Sequence, residues 1–247
     1  MPTADALPEP PPLATLAAEG DVALFLDFDG TLVELAESPD EIVVPADLLN
    51  RIEALAKRMD GRLALISGRA IVDIEKHLGP VALCCAGSHG ADVRAAGGKR
   101  LGDAAKSLPD GIARQVEDFA HANHLRYEEK SHGAALHSRG RPDQEEMAAD
   151  FLDDLAEGTE LTVSHGKFVA EILHAGTDKG TAVKVFMRSA PFAGARPIFI
   201  GDDVTDEDGF AAVREAGGLA ITVGERDSAG ADYGLADVAA VHHWLGL

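Results

Sequence analysis

Two aspartates one residue apart, Asp27 and Asp29, close the apolar run Val22 to Leu26 and lead into Gly30 and Thr31. The run is rich in strand formers, so it reads as a buried strand that delivers two carboxylates to its C-terminal tip. Residues two apart on a strand share a face, which lets both carboxylates meet one ligand, and Gly30 allows the chain to turn away just beyond them. Carboxylates this close repel each other unless a positive charge lies between them, and a hard divalent cation such as Mg2+ supplies it. A further acidic cluster is then required, and Asp202, Asp203 and Asp206 follow a second apolar run, Pro197 to Ile200.

Two other strand ends carry polar groups of a matching kind. Arg62 to Ile66 runs into Ser67-Gly68-Arg69, a hydroxyl with backbone amides at the start of an expected helix, which makes a small anion-binding corner. Thr177-Asp178-Lys179-Gly180 opens another helix with a lysine in its first turn. There it opposes the helix dipole and is either solvated or held to meet an anion. A nucleophile-grade aspartate, a metal site, a hydroxyl, a lysine and helix N-termini are the parts of phosphoryl transfer.

Such parts work together only if a scaffold brings the strand ends to one edge, as the carboxyl edge of an open α/β sheet does. The pattern around them fits that demand. A helix is expected from Pro45 to Met59, with Leu48, Leu49, Ile52 and Leu55 on one face. The strand ending at Ile66, a helix over 70–78 and a strand from Val81 to Ala86 complete a β-α-β-α-β run, which implies a parallel sheet. Arg94 to Lys99, with Gly97-Gly98, reads as a hairpin. From 107 to 175 the pattern changes to helix (109–123), two short strands (125–130 and 133–138), helix (142–156) and two more strands (160–164 and 167–173). The expected architecture is α/β: a doubly wound parallel sheet core over 13–106 and 176–247, an inserted αββαββ cap over 107–175, and a loose proline-rich leader over 1–12.

The insertion carries its own inference. A site open to water binds phosphate esters unselectively, whereas a lid can exclude solvent and read the leaving group. The polar points of the insertion are Glu128, Lys130, Arg139, Lys167 and Glu171. Donors and acceptors of this sort suit a sugar rich in hydroxyls, although charge on an exposed strand face would look the same.

Asp27-Phe28-Asp29-Gly30-Thr31, Ser67, Lys179 and Gly201-Asp202-Asp203 with Asp206 reproduce in order the four signature motifs of the haloacid dehalogenase-like phosphatases. More narrowly, the chain resembles the trehalose-6-phosphate phosphatases along nearly its whole length. The likeness rests on Asp27–Leu32, Ala64–Arg69, Gly87-Ser88-His89-Gly90, Glu128-Glu129-Lys130, Leu136-His137-Ser138-Arg139, Gly166–Ile172 and Gly201–Glu207. One departure is visible: Ser138 stands where family members usually carry tyrosine.

The resemblance implies a Mg2+-dependent phosphatase that releases phosphate from trehalose 6-phosphate through an aspartyl-phosphate, the last step of trehalose biosynthesis, functionally coupled to trehalose-6-phosphate synthase. Asp27 is the expected nucleophile and Asp29 the general acid and base, with Ser67 and Lys179 on the phosphate and Asp206 orienting Lys179 or a metal-bound water. The metal ligands are expected to be the Asp27 carboxylate, the Asp29 backbone carbonyl and Asp202. Glu128, Lys130, Arg139 and Glu171 match the sugar-contacting positions. His89 sits in a turn near this set and is given no role.

Composition bounds the alternatives. A formal net charge of −20 over 247 residues argues against nucleic acid or anionic membrane partners but not against an anionic small substrate met by a metal and local cations. The adjacent Cys84 and Cys85 read as two small residues of a buried strand rather than a disulfide. No apolar run approaches transmembrane length, and the N-terminus lacks the basic-then-apolar order of a secretory signal, so a cytoplasmic location is expected. Two other functions compete: a phosphatase of another sugar phosphate, such as sucrose phosphate or mannosyl-phosphoglycerate, and a non-catalytic divalent-metal-binding module. The second draws on Asp206, Asp208 and Glu215, but Val204 occupies the first ligand position and a strand precedes the loop, against EF-hand geometry.

Overall fold

The computed structural model describes residues 7–36, 41–103, 106–130, 132–166, 168–226 and 228–247; residues 1–6 of the expected leader and Lys167 lie outside the described residues. In chain order the first elements are α1 (Leu13–Glu19), β1 (Val22–Leu26), α2 (Leu48–Arg58), β2 (Leu63–Ile66), α3 (Ile71–Leu78), β3 (Cys84–Gly87) and β4 (Asp92–Arg94). Then come α4 (Asp110–Asn123), β5 (Arg126–Lys130), β6 (Gly133–His137), α5 (Glu145–Ala156), β7 (Leu161–Gly166) and β8 (Val169–His174). The chain finishes with α6 (Lys179–Met187), β9 (Arg196–Gly201), α7 (Glu207–Glu215), β10 (Leu219–Val223), β11 (Tyr233–Leu235) and α8 (Val238–Leu245). Contacts divide it into two compact units, Met1–Asp103 with Asp178–Leu247, and Ala104–Thr177.

In the first unit the described strands form one seven-stranded sheet in the order β11-β10-β9-β1-β2-β3-β4, parallel except for the β3/β4 pair. The two runs that end in aspartates lie side by side, Leu24 opposite Ile198 and Leu26 opposite Ile200, so their carboxyl ends emerge together. The strand pleat sorts their apolar side chains. Val22, Leu24, Leu26, Leu65, Ile198 and Ile200 pack on one face with Ile52, Leu55, Ile74 and Val241 from α2, α3 and α8. Ala23, Phe25, Ala64, Ile66 and Phe199 pack on the other with Val183, Phe186 and Phe210 from α6 and α7. With both faces covered, β1 is buried at every position. Truncating Phe25, which stacks on Phe192 at 5.5 Å, would cost about 3–5 kcal/mol.

Several boundaries differ from expectation for local reasons. β3 starts at Cys84 rather than Val81 because the Val81 amide is turned to Glu75 Oε1 at 3.3 Å and closes the connection from α3. α2 starts at Leu48, after a turn in which the Leu48 amide donates to Pro45 O at 2.9 Å. Residues 7–12, the described part of the segment expected to be loose, are tied to the end of the chain: Trp244 Nε1 donates to Pro11 O at 2.9 Å and the Gly234 amide to Pro8 O at 3.0 Å. Among the described residues no helix is long and apolar enough to cross a membrane.

The second unit is a four-stranded antiparallel sheet in the order β5-β6-β8-β7. One face carries Leu136, Ala134, Ala170 and Ile172 and packs on Val116 and Ala120 of α4 and Ala148 and Leu152 of α5. By alternation the other face carries Glu128, Lys130, Gly133, Ala135, His137 and Glu171. The ends of this unit are joined, His174 Nε2 lying 3.2 Å from Ser107 O.

Candidate active site

β1 delivers Asp27 to the carboxyl edge of the sheet, and the Asp27 amide still pairs with Ile200 O of β9 at 2.9 Å. The acidic loop after β9 therefore starts beside it. Lys179, the first residue of α6, lies 3% exposed between the clusters, its Nζ donating to Asp27 Oδ1 at 2.7 Å and to Asp206 Oδ1 at 2.6 Å. A first-turn lysine is unfavourable against the helix dipole, and two buried carboxylates outweigh that here. Asp178 caps the same helix, its Oδ1 accepting from the Thr181 amide at 2.6 Å. Asp206, wholly buried, gives its other oxygen to the Asp203 amide at 2.9 Å.

Asp27, Asp202 and Asp206 each offer a carboxylate oxygen within 4.8 Å of the others. Burial raises the Asp27 carboxyl well above the usual carboxylate range; Lys179 opposes the rise, and Asp206 and Asp202 add to it. Asp202 is pushed up to about 7 by burial and then by Asp206, with Lys179 again opposing. For Lys179 burial acts to lower the pKa, but Asp206 and Asp27 outweigh it and leave the ammonium raised. One lysine thus leaves this acid cluster short of positive charge, and its all-oxygen donor set is what a hard divalent cation requires. Asp27 and Asp202 could hold it, since both Asp206 oxygens already have partners.

Glycines make the close approach possible. Gly30 has φ +76°, and a Cβ there would sit 2.1 Å from Asp202 Oδ2. A Cβ at Gly201 would lie 2.2 Å from Asp206 Cγ.

Both oxygens of Asp29 are gripped by one edge of the Arg69 guanidinium, Nε donating to Oδ2 at 2.6 Å and Nη2 to Oδ1 at 2.7 Å. Ser67 is 1% exposed and does not cap α3, whose N-cap is Ala70; its Oγ accepts from the Arg69 amide at 3.0 Å. The Gly87–Gly90 turn straps this corner, the His89 amide donating to Ser67 O at 3.0 Å and the Ser88 amide to Arg69 O at 2.8 Å. Ser88 and His89 both have positive φ, 53° and 54°, a conformation that costs a β-carbon residue energy. The His89 ring lies against Gly68, where a Cβ would come within 2.6 Å of it.

In the inserted unit Glu128, Lys130 and Glu171 share the polar face of the sheet. Lys130 Nζ reaches across β6 to Glu171 Oε2, and Gly133, whose added Cβ would stand 3.4 Å from Glu171 Oε1, leaves the way open. Burial raises the Glu171 carboxyl against the pull of Lys130. Glu128 is lowered by its hydrogen bond with His137, whose Nε2 lies 2.7 Å away. Arg139 follows the end of β6, its guanidinium 6.0 Å from the Phe168 ring. Ser138, where the resembled family carries tyrosine, is buried and its amide donates to Phe168 O at 2.9 Å.

Arg69 and His137 fell inside motifs but drew no role from sequence reasoning. A residue two positions from Ser67, or two before Arg139, carries no mark of which carboxylate it will meet 40 or 9 positions away.

A doubly wound sheet with an inserted α+β unit is the fold of the haloacid dehalogenase-like hydrolases. The fold is shared with a haloacid dehalogenase-like hydrolase from B. subtilis, with a TM-score of 0.67 at 15% identity over 92% of this chain and 99% of that one. The chain belongs to the trehalose-phosphatase family, an enzyme family whose model matches residues 25–239. It is 39% identical over 229 residues to the trehalose-6-phosphate phosphatase of Escherichia coli K12, covering 90% of this chain and 85% of that protein. The C-terminal domain of a C. albicans trehalose-6-phosphate phosphatase shares the fold, with a TM-score of 0.82 at 23% identity over 99% of this chain and all of that one.

Proposed function

We propose that this protein hydrolyses trehalose 6-phosphate to trehalose and inorganic phosphate through a phosphorylated Asp27. The observation that carries the chemistry is the buried Lys179, shared between Asp27 and Asp206 beside Asp202. Family membership and the polar face of the inserted unit support the substrate.

Asp27 attacks phosphorus: a bond from its free carboxylate oxygen forms as the bond to the sugar O6 breaks, and Asp29 gives that oxygen a proton. Asp29 then takes a proton from a water that attacks the aspartyl-phosphate, releasing phosphate and restoring the Asp27 carboxylate. Both Asp29 oxygens are in the Arg69 fork, so one must leave the guanidinium before it can reach the sugar oxygen. Lys179 and Ser67 meet the phosphate oxygens, and Asp206 keeps Lys179 charged and aimed. Asp27, Asp202 and the Asp29 carbonyl would hold Mg2+, which when bound neutralises phosphate charge and relieves the repulsion between the acids. Glu128, Lys130, Arg139 and Glu171 are assigned to the sugar hydroxyls.

The test is phosphate release from trehalose 6-phosphate, sucrose 6-phosphate, glucose 6-phosphate and mannosyl-phosphoglycerate, each with Mg2+ and with chelator. Chelator-sensitive release from trehalose 6-phosphate alone is expected. Preference for another ester would keep the chemistry and discard the sugar assignment, and silence across the panel would discard both.

A further inference from the structure

The loop after β10 contributes an arginine that no motif assigns. Arg226 Nε donates to the Asp202 carbonyl at 3.0 Å, and its Nη2 donates to the Asp203 carbonyl at 3.1 Å and to Glu207 Oε1 at 2.7 Å. Ser228 Oγ donates to the same Glu207 oxygen at 2.6 Å. One planar guanidinium thus grips the acidic loop at both ends, two carbonyls where it leaves β9 and a carboxylate where α7 begins.

The loop needs a grip. Asp202, Asp203, Asp206, Glu207 and Asp208 fall within 202–208, and like charges so close push a loop apart. Lys179 holds Asp206 from the buried side. Asp202, whose carboxylate belongs to the candidate cation site, has its side chain over Gly30 and its carbonyl on Arg226. Gly30 leaves it room, and it is held from two directions: the Thr31 hydroxyl donates to Asp202 Oδ1 at 3.5 Å and the guanidinium grips its carbonyl.

We propose that Arg226 is a positioning residue for the divalent cation: by pinning the 202 and 203 carbonyls to Glu207 it holds the Asp202 carboxylate toward Asp27 and so sets cation affinity without touching the ion. This rests on the metal reading given above. Groups that orient a metal ligand from behind typically govern affinity by about 10- to 100-fold.

Charge and geometry predict opposite signs, which makes the idea testable. Removing a cation from beside an acidic loop should, by charge alone, tighten Mg2+ binding; removing a positioning group should weaken it. Mg2+ is titrated calorimetrically into the full chain as wild type, Arg226→Ala and Arg226→Lys, and the Mg2+-induced rise in Tm is measured for each against chelator-treated protein. Arg226→Ala is expected to weaken Mg2+ binding about tenfold or more, with most of the Mg2+-induced Tm rise lost and the chelator-state Tm changed far less. Arg226→Lys keeps the charge but cannot fork over two carbonyls and a carboxylate, so it too is expected to bind several-fold more weakly. Unchanged or tighter binding in both variants overturns the proposal and leaves the metal reading standing. An equal Tm loss with and without Mg2+ at unchanged affinity makes Arg226 a structural brace only. Failure of the wild type to bind Mg2+ overturns the metal reading, and the proposal falls with it.

Discussion

Each unit of this protein holds a lysine against buried acid, and the two are built differently. In the sheet core Lys179 is sealed between Asp27 and Asp206, all three within 5% side-chain exposure. In the inserted unit Lys130 meets Glu171 with 14% of its own side chain exposed. The core cluster is fixed by backbone: two paired strand ends, a helix start, and glycines whose missing Cβ atoms are the seats of Asp202 and Asp206. The Lys130–Glu171 contact is fixed by side chains lying across a low point in one strand, Gly133 and Ala135. Phosphoryl transfer needs atoms held to fractions of an ångström, whereas recognition of a polyol tolerates side chains that can move. Rigid supports stand where bonds would change, and adjustable ones where hydroxyls would be counted.

The difference can be broken at its strongest point first. Asp27→Asn is nearly isosteric and is expected to lower kcat by about 10³-fold or more while leaving the far-UV spectrum and Tm close to wild type; substantial residual turnover would remove Asp27 as nucleophile. Lys179→Met leaves Asp27 and Asp206 buried together without a cation. Urea unfolding should show a loss of about 3–5 kcal/mol, along with loss of activity. The corresponding Lys130→Met change, where the lysine is partly solvated and one buried acid rather than two is left unpaired, should lower stability by less and raise KM more than it lowers kcat. Equal stability losses at 130 and 179 would erase the contrast.

Acidity sharpens it further. Asp27 and Asp202 have folded pKa values above their unfolded ones, so below the raised values the folded chain holds more protons than the unfolded chain. Chelator-treated protein should therefore lose stability as pH rises from about 4 through about 7, the value to which Asp202 is raised. Lys179 stays charged throughout and adds no slope in that window. Mg2+ should then raise Tm more at pH 7.5 than at pH 5.5, and an equal rise at both would show that the acids do not share the ion. The smallest effect belongs to the inserted unit. His137→Gln keeps a donor for Glu128 but not the ring that places it, and should raise KM a few-fold with Tm nearly unchanged.

What the sequence declared and what it concealed divide along the same line. β1 and β9 were legible because an unbroken apolar run that stops at aspartate can hardly fold as anything but a buried strand reaching the sheet edge. The αββαββ order of the insertion followed from short alternating runs. α1 went unseen because a seven-residue helix after Pro10-Pro11-Pro12 offers almost no periodicity to count. The partners of Arg69 and Arg226 were invisible for another reason. Each meets its carboxylate or carbonyl across a sheet edge, 40 and 24 positions away, and no local pattern encodes a contact made by two loops folding toward each other. Ser67 shows the intermediate case: its place was legible, but its hydroxyl turns to the Arg69 amide instead of capping the helix that follows.

The joined ends of the inserted unit, His174 against Ser107, bear on how such an enzyme can change over time. A segment whose two ends meet behaves as a self-contained cassette: recombination can replace it, or mutation can reshape it, without re-threading the host sheet. With the sugar contacts proposed for this unit, the preference of a lineage would drift while the residues at the sheet edge are inherited whole.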